Sequence, residues 1–350
     1  DEKGYPPELW QEMAGLGWQG MMLPEEYGGS GGDFIDMVVL LEEMGRALLP
    51  GPFVPTAIYG GLGVLLGGNK EQKQTLLPQI AQGGLIFSLA LQDSADRFDA
   101  PGITLMAVEQ GNHFVLNGVK RLVPDAHVAQ QLIVIARTRA DDIEGGISAL
   151  IVDGQCPGLS IVPRTTIEGK KLCEVRLEGV RVPRSNVLQG LNRGWPLAKR
   201  LIQYGTVSLC AEALGGAQIA MEMSVNYSKE RTQFGRPIGV NQAIKHKCAN
   251  MFIDVECARS IMYWAAWAVD EYVPEAPLAV SMAKAWCSDT YRRVTADALQ
   301  VHGGIGFTWD HDIHLYLKRA KTIEYTLGDA DYHRELVAQE MQRQASREAA

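Results

Sequence analysis

The sequence predicts an α+β fold of three successive domains, helical over residues 1–84, β over 85–188 and helical again over 189–350. Two changes of hydrophobic period carry that expectation, because apolar residues recur at helical spacing at both ends of the chain and at alternate positions in the middle. With 350 residues and an apolar fraction of 46%, the chain can bury a sizeable core.

In the first domain Leu9, Trp10 and Met13 sit at helix spacing, and Met37, Leu40, Leu41, Met44 and Leu48 form a second apolar stripe. Tyr27-Gly28-Gly29-Ser30-Gly31-Gly32 and Leu49-Pro50-Gly51-Pro52 mark the turns between several short helices. From about residue 85 the period becomes two. Ile86 to Leu91, His113 to Val119, Gln131 to Arg137, Ile147 to Val152 and Glu174 to Val182 are predicted strands, a pattern that suits a barrel or a sandwich. Long helical segments follow near 195–230, 240–271, 274–301 and 328–344, broken at Gly235, Pro237 and the run Gly303-Gly304-Ile305-Gly306.

The formal charge of −8 argues against a protein that coats nucleic acid, since that task needs surplus Lys and Arg to displace counterions from phosphates. A small anionic ligand is still allowed. No apolar run reaches the roughly 18 residues of a membrane span. The six cysteines, Cys156, Cys173, Cys210, Cys248, Cys257 and Cys287, form no CxxC pair, as expected of reduced thiols in the cytoplasm. The chain opens DEKGYPPELW without an initiator Met or a hydrophobic leader, so a short preceding segment is expected.

Gly61-Leu62-Gly63 fails as a dinucleotide fingerprint at Leu66 and lacks a βαβ setting. His311 and His314 have a metal-like interval but no second ligand pair, and fit the solvated start of a helix better. Two other runs are more informative: Tyr227-Ser228-Lys229-Glu230-Arg231-Thr232-Gln233-Phe234-Gly235-Arg236-Pro237-Ile238, and Asp297-Ala298-Leu299-Gln300-Val301-His302-Gly303-Gly304-Ile305-Gly306-Phe307. Each ends a helix in glycine and polar donors. A diphosphate needs free backbone N–H groups, glycines that permit close approach and a bidentate guanidinium. Taken singly, Arg231 would be a surface ion pair and Gly303 to Gly306 a plain loop; together they point to a cofactor.

These runs resemble the acyl-CoA dehydrogenase family, which carries R-x-x-F-G-x-x-[IL] followed by a glutamine, and then Q-x-x-G-G-x-G. Here they are Arg231 to Ile238 with Gln242, and Gln300 to Gly306. The likeness extends over Gly17-Trp18, Pro24-Glu25-Glu26-Tyr27-Gly28-Gly29, Asn117-Gly118-Val119-Lys120, Val180-Arg181-Val182-Pro183 and Asn186-Val187-Leu188. The resemblance implies an N-terminal α-helical domain, a middle β-barrel and a C-terminal four-helix bundle, assembled as a tetramer with FAD between two subunits. It also implies an acyl-CoA substrate, α-proton removal by a carboxylate, hydride transfer to the flavin and electron exit through an electron-transferring flavoprotein. Arg231, Gln233, Phe234, Gln242, Gln300, Gly303 and Gly304 match the set that one subunit donates to its neighbour's FAD.

The pattern also breaks. Counting from Lys318-Arg319-Ala320-Lys321 places Leu327 where the family has its catalytic Glu, and the alternative position on an earlier helix falls on Gly205. The flavin-facing T-E-P-G-A-G-S-D stretch corresponds to Gln92-Asp93-Ser94-Ala95-Asp96-Arg97-Phe98-Asp99, and W-I-T to Leu122-Val123-Pro124. Leu122 offers no indole to pack on a ring, and Pro124 no N–H to donate. The expectation is a base-less small subunit of a heteromeric α2β2 enzyme, resembling those that process bulky steroid side-chain or dicarboxylic acyl-CoA. The alternatives are a self-sufficient homotetramer using Asp329, Asp93, Glu324 or Glu212 as base, a scaffold without redox chemistry, and a related flavin oxidase or N-hydroxylase. No metal is expected.

Overall fold

A computed structural model describes residues 2–94 and 97–348. They form two compact units, Asp1–Asp33 with Pro50–Gly205, and Phe34–Leu49 with Thr206–Ala350.

The first unit begins with α1 (Pro7–Gly15), which buries Trp10 and Met13. A π-helical segment, Val54–Leu62, is buried along its whole length and runs into α3 (Gly63–Gly67). The turn at Leu49-Pro50-Gly51-Pro52 is followed directly by this helix, whose glycines and small residues hid it from a periodicity argument. Next, α4 (Lys70–Ala81) opens on a capping box: Asn69 accepts from the Gln72 amide, and Gln72 accepts from the Asn69 amide.

The strands are β1 (Phe87–Ala90), β2 (Met106–Gln110), β3 (His113–Pro124), β4 (Gln131–Arg137), β5 (Ile147–Asp153), β6 (Leu159–Arg164), β7 (Leu172–Pro183) and β8 (Val187–Leu188). They form one eight-stranded sheet in the order β6-β7-β3-β2-β4-β5-β8, with β1 pairing to β4 in parallel. β2 and β6 went unpredicted because their burial barely alternates; both lie mostly exposed. The longest ladder, β3 against β7, shifts register between Lys120 and Val123. In that bulge Arg121 and Leu122 together oppose the single residue Glu174 of β7, one residue more than the partner strand supplies, which re-aims them.

The second unit contains α2 (Phe34–Arg46) and, from Thr206 onward, α5 (Gly194–Glu230). A hairpin of β9 (Thr232–Gln233) and β10 (Arg236–Pro237) follows, then α6 (Gln242–Asp270), α7 (Ala276–His302), α8 (Ile313–Tyr325) and α9 (Ala330–Glu348). The four segments of helical period correspond to α5, α6, α7 and α9, whereas α8 is additional. α2 and α5 touch backbone to backbone at two glycines. A Cβ on Gly215 would stand 1.8 Å from the Glu42 carbonyl oxygen and one on Gly45 2.2 Å from that of Glu212, so only glycine permits this crossing. Beside it, Arg319 pairs with Glu212 at 3.2 Å, both side chains only 8% exposed. No helix among the described residues is long and apolar enough to cross a membrane.

Candidate functional site

The end of α5 and the end of α7 are joined by aromatic packing. Tyr227, one turn before Arg231, stacks on His302 with ring centroids 4.5 Å apart and planes 28° apart. His311 packs against the same His302 ring at 4.5 Å. The His302 Nδ1–H donates to the Ala298 carbonyl at 2.7 Å, which fixes its tautomer, and burial holds its pKa below the usual imidazole value. Lys247 on α6 pairs with Asp297 on α7. The two runs singled out in the sequence are thus brought to one region of the second unit.

Immediately after α5 the chain reverses through Phe234 (φ 52°) and Gly235 (φ 76°), the two left-handed residues that a two-residue hairpin loop requires. A left-handed conformation is costly for Phe, roughly 1–2 kcal/mol, yet its ring gains no burial and is 98% exposed. Arg231, Gln233, Gln242 and Gln300 are likewise exposed, and among the described residues their side chains make no hydrogen bond or ion pair. At the end of α7, Gly303 has φ 64° and ψ −140°. Gly304 has an ordinary φ and nothing within 4 Å of where a Cβ would lie, so no neighbour within the chain demands glycine there.

The position matched to the family's base is built differently. Leu327 is 6% exposed at φ 58°, in the loop between α8 and α9. Lys284, fully buried on α7, donates to the carbonyls of Ile323 (2.8 Å), Glu324 (3.2 Å) and Gly328 (2.8 Å) and to Ser288 Oγ (3.0 Å), capping the end of α8. Burial pushes its pKa down to about 8. His333 Nε2 donates to the Leu327 carbonyl at 2.9 Å, and burial first, then Lys284, pushes its pKa down to about 4. This network fixes the loop backbone without placing an acid there.

The second candidate position, Gly205, lies in the first unit under the Tyr59 side chain. A Cβ at Gly205 would stand 2.3 Å from the phenol oxygen and 2.5 Å from Cε1. The fallback carboxylates are all engaged. Asp329 accepts from the Tyr332 amide at 2.9 Å, capping α9; Glu324 pairs with Arg292 (3.4 Å) and Lys321 (2.8 Å); Glu212 pairs with Arg319. Asp93 pairs with the fully buried Lys120 at 2.6 Å and accepts from the Leu105 amide at 2.9 Å.

On the strand face matched to the flavin bed, Leu122 sits at φ 52° and is 40% exposed, while the buried Gln92 accepts the Arg121 amide at its backbone carbonyl. Ala95 and Asp96, part of the altered stretch, lie outside the described residues. Tyr59, Lys284 and His333 carry no motif in the sequence; for Lys284 the available signal is a lysine in the mostly apolar run Leu278 to Cys287 with no acidic residue three or four positions away. His314 is buried rather than solvated, packed edge-on against Trp309 at 4.8 Å. Among the described residues no group of three His, Cys, Asp or Glu could hold a metal.

Family models for the acyl-CoA dehydrogenase N-terminal, middle and C-terminal domains match residues 1–84, 88–180 and 192–342. The chain belongs to the acyl-CoA dehydrogenase family. Members of this oxidoreductase family are flavoproteins that carry FAD. The chain is 35% identical over 348 residues to a probable acyl-CoA dehydrogenase, YngJ, of Bacillus subtilis, covering 97% of this chain and 91% of that protein. It is 32% identical over 320 residues to subunit CarC of the caffeyl-CoA reductase-Etf complex of Acetobacterium woodii, covering 89% and 84%. A solved variant of the Tcur3481-Tcur3483 steroid ACAD superposes with a TM-score of 0.86 at 30% identity, covering 98% of this chain and 90% of that one.

Proposed function

We propose that this acyl-CoA dehydrogenase homologue is the base-less subunit of a heteromeric enzyme, gripping part of an FAD that is held mainly by a homologous partner. The observation that carries this is the polar set of Arg231, Gln233, Gln242 and Gln300, exposed and unpaired among the described residues, with the ends of α5 and α7 that carry Arg231 and Gln300 joined by the Tyr227–His302 stack and Gly304 open after α7. Among the described residues these side chains have nothing to bind. Their chemistry suits a dinucleotide diphosphate: a guanidinium for bidentate charge-assisted bonds, amide donors, and glycine backbone that another molecule can approach. Phe234 would present its exposed ring at the same edge. FAD, when bound, supplies the two-electron acceptor for an acyl-CoA β-hydride.

Two features favour the partner-dependent form over a self-sufficient enzyme. Leu327 cannot accept a proton, and a positioned base is worth roughly 10²–10⁴-fold in rate. Asp329, Asp93, Glu324 and Glu212 are held by helix caps or ion pairs. A steroid-type acyl-CoA is the favoured substrate class, on the name of the steroid ACAD relative. Electron exit to an electron-transferring flavoprotein follows the Etf-linked name of CarC. With six free cysteines, the cytoplasm is the proposed compartment. The domain limits 1–84, 85–188 and 189–350 belong to the same proposal.

The test is purification with and without a homologous partner chain, recording flavin absorbance, subunit composition and acyl-CoA dehydrogenation with a ferrocenium acceptor. The homomer should be colourless or lose FAD readily, and be inactive. A yellow homotetramer turning over at roughly 1 per second or faster would establish the self-sufficient form instead.

A further inference from the structure

Three adjacent strands of the sheet, β6, β7 and β3, gather arginines around a single carboxylate. Glu174 and Arg176 are two apart on β7 and so share a face; Glu174 is in register with Val162, two residues before Arg164 on β6. The bulge between Lys120 and Val123 on β3 brings Arg121 to the same carboxylate. Glu174 Oε2 accepts from Arg164 at 2.9 Å and from Arg121 at 3.4 Å, while Oε1 takes Arg176 Nε at 2.8 Å and Nη2 at 2.7 Å. Glu174 is 7% exposed, whereas the arginine side chains are 51%, 53% and 50% exposed for Arg121, Arg164 and Arg176.

One guanidinium would neutralise this carboxylate. Three leave a local charge of +2 in a chain whose formal charge is −8. Like charges on neighbouring strands repel, and each guanidinium carries five N–H donors of which Glu174 engages only one or two. The hydroxyl-bearing Ser160 stands in register with Arg176. A buried carboxylate that fixes the position of three half-exposed forks makes a preformed, donor-rich, doubly positive surface. The guanidinia all reach one carboxyl group, so the spacing fits a compact dianion better than a chain of separated acidic side chains.

We propose that Arg121, Arg164 and Arg176, organised by Glu174, form a binding site for a phosphomonoester dianion. Two sources share that chemistry, free phosphate and the 3′-phosphate of a CoA nucleotide. The site stands apart from the heteromer proposal, because it uses only the sheet of this chain and neither FAD nor a partner.

The experiment is calorimetric titration of the purified chain at low ionic strength with inorganic phosphate, CoA and dephospho-CoA, repeated with Arg164→Gln/Arg176→Gln. Saturable phosphate binding that weakens about tenfold or more in the double variant supports the site. CoA binding about tenfold tighter than dephospho-CoA, a preference lost in the double variant, assigns it to the nucleotide; equal binding of the two assigns it to the free ion. Absence of saturable phosphate binding below about 10 mM, or equal binding by the double variant, overturns it. Should the double variant not fold, Arg121→Gln replaces it, since that side chain makes only the longest contact to Glu174. A loss of about threefold or more is then the supporting result, and unchanged binding the refuting one.

Discussion

Gly304→Val separates a residue that the fold needs from one that a ligand needs. Gly304 has an ordinary φ and no atom within 4 Å of an added Cβ, in contrast to Gly215, where a Cβ would meet the Glu42 carbonyl at 1.8 Å. Valine at 304 should therefore change unfolding free energy by no more than about 1 kcal/mol, the scale of local propensity and unfolded-state entropy. Its branched side chain should nevertheless block approach of a diphosphate to the Gly303-Gly304 backbone. Arg231→Ala removes charge-assisted bonds of about 1.5–3 kcal/mol each from the same ligand, at a position with no partner among the described residues. Since about 1.4 kcal/mol is a factor of ten, each variant should weaken FAD at least tenfold. The assay pairs urea unfolding of each variant with FAD dissociation from a complex of variant chain and wild-type partner. Unchanged FAD affinity in both, with the complex intact, would refute the donor role. A stability loss above about 3 kcal/mol for Gly304→Val would instead make that glycine structural.

The two positions proposed to lack a base should resist simple repair. Gly205→Glu puts a Cβ 2.3 Å from the Tyr59 phenol oxygen, so denaturant unfolding should show a loss of roughly 1–3 kcal/mol and activity assays no dehydrogenation. Leu327→Glu alone should also remain inactive in the homomer, because Leu122 and Pro124 still offer neither a ring to stack nor an N–H; ferrocenium-linked turnover in that variant would show the strand face to be competent. His333 titrates near 4 in the fold and at 6.5 when exposed, so the unfolded chain binds the extra proton between those values. Its stabilising share is complete above pH 6.5 and falls as pH drops to 4, by up to about 3 kcal/mol. Stability measured against pH should lose that part of its acid slope in His333→Gln; parallel profiles would mean that His333 is not buried neutral.

Much of the proposed donor region is legible in sequence because its residues are defined by local chemistry: glycines at helix ends, a guanidinium, and amide side chains at short spacing from them. Sequence could not show that these groups are unpaired, nor that Tyr227 and His302 bring the two runs together, since 75 residues separate those rings. The carboxylates illustrate the reverse error. Asp329, closest in sequence to Leu327, leads the candidates in sequence ahead of Asp93, Glu324 and Glu212, but each of the four is held by a helix cap or an ion pair in the fold. Among these, Lys120 on β3 reaches Asp93 in the loop after β1, and Arg319 on α8 reaches Glu212 on α5.

The sequence by itself determined the α, β, α order, the long helices and the family, because hydrophobic period and turn residues act over a few residues and survive without the rest of the chain. It also carries the proposal that a base is missing, since the leucine at 327 and the glycine at 205 lack an acid in any fold. Tertiary structure alone decided that Tyr59 fills the space over Gly205, that Lys284 and His333 hold the Leu327 loop, and that three arginines from three strands meet at Glu174. Each of these arrangements includes at least one contact between residues far apart in sequence, made through sheet register, helix crossing or a loop, and burial then sets the charge state of Lys284 and His333. Such contacts have no local period to reveal them.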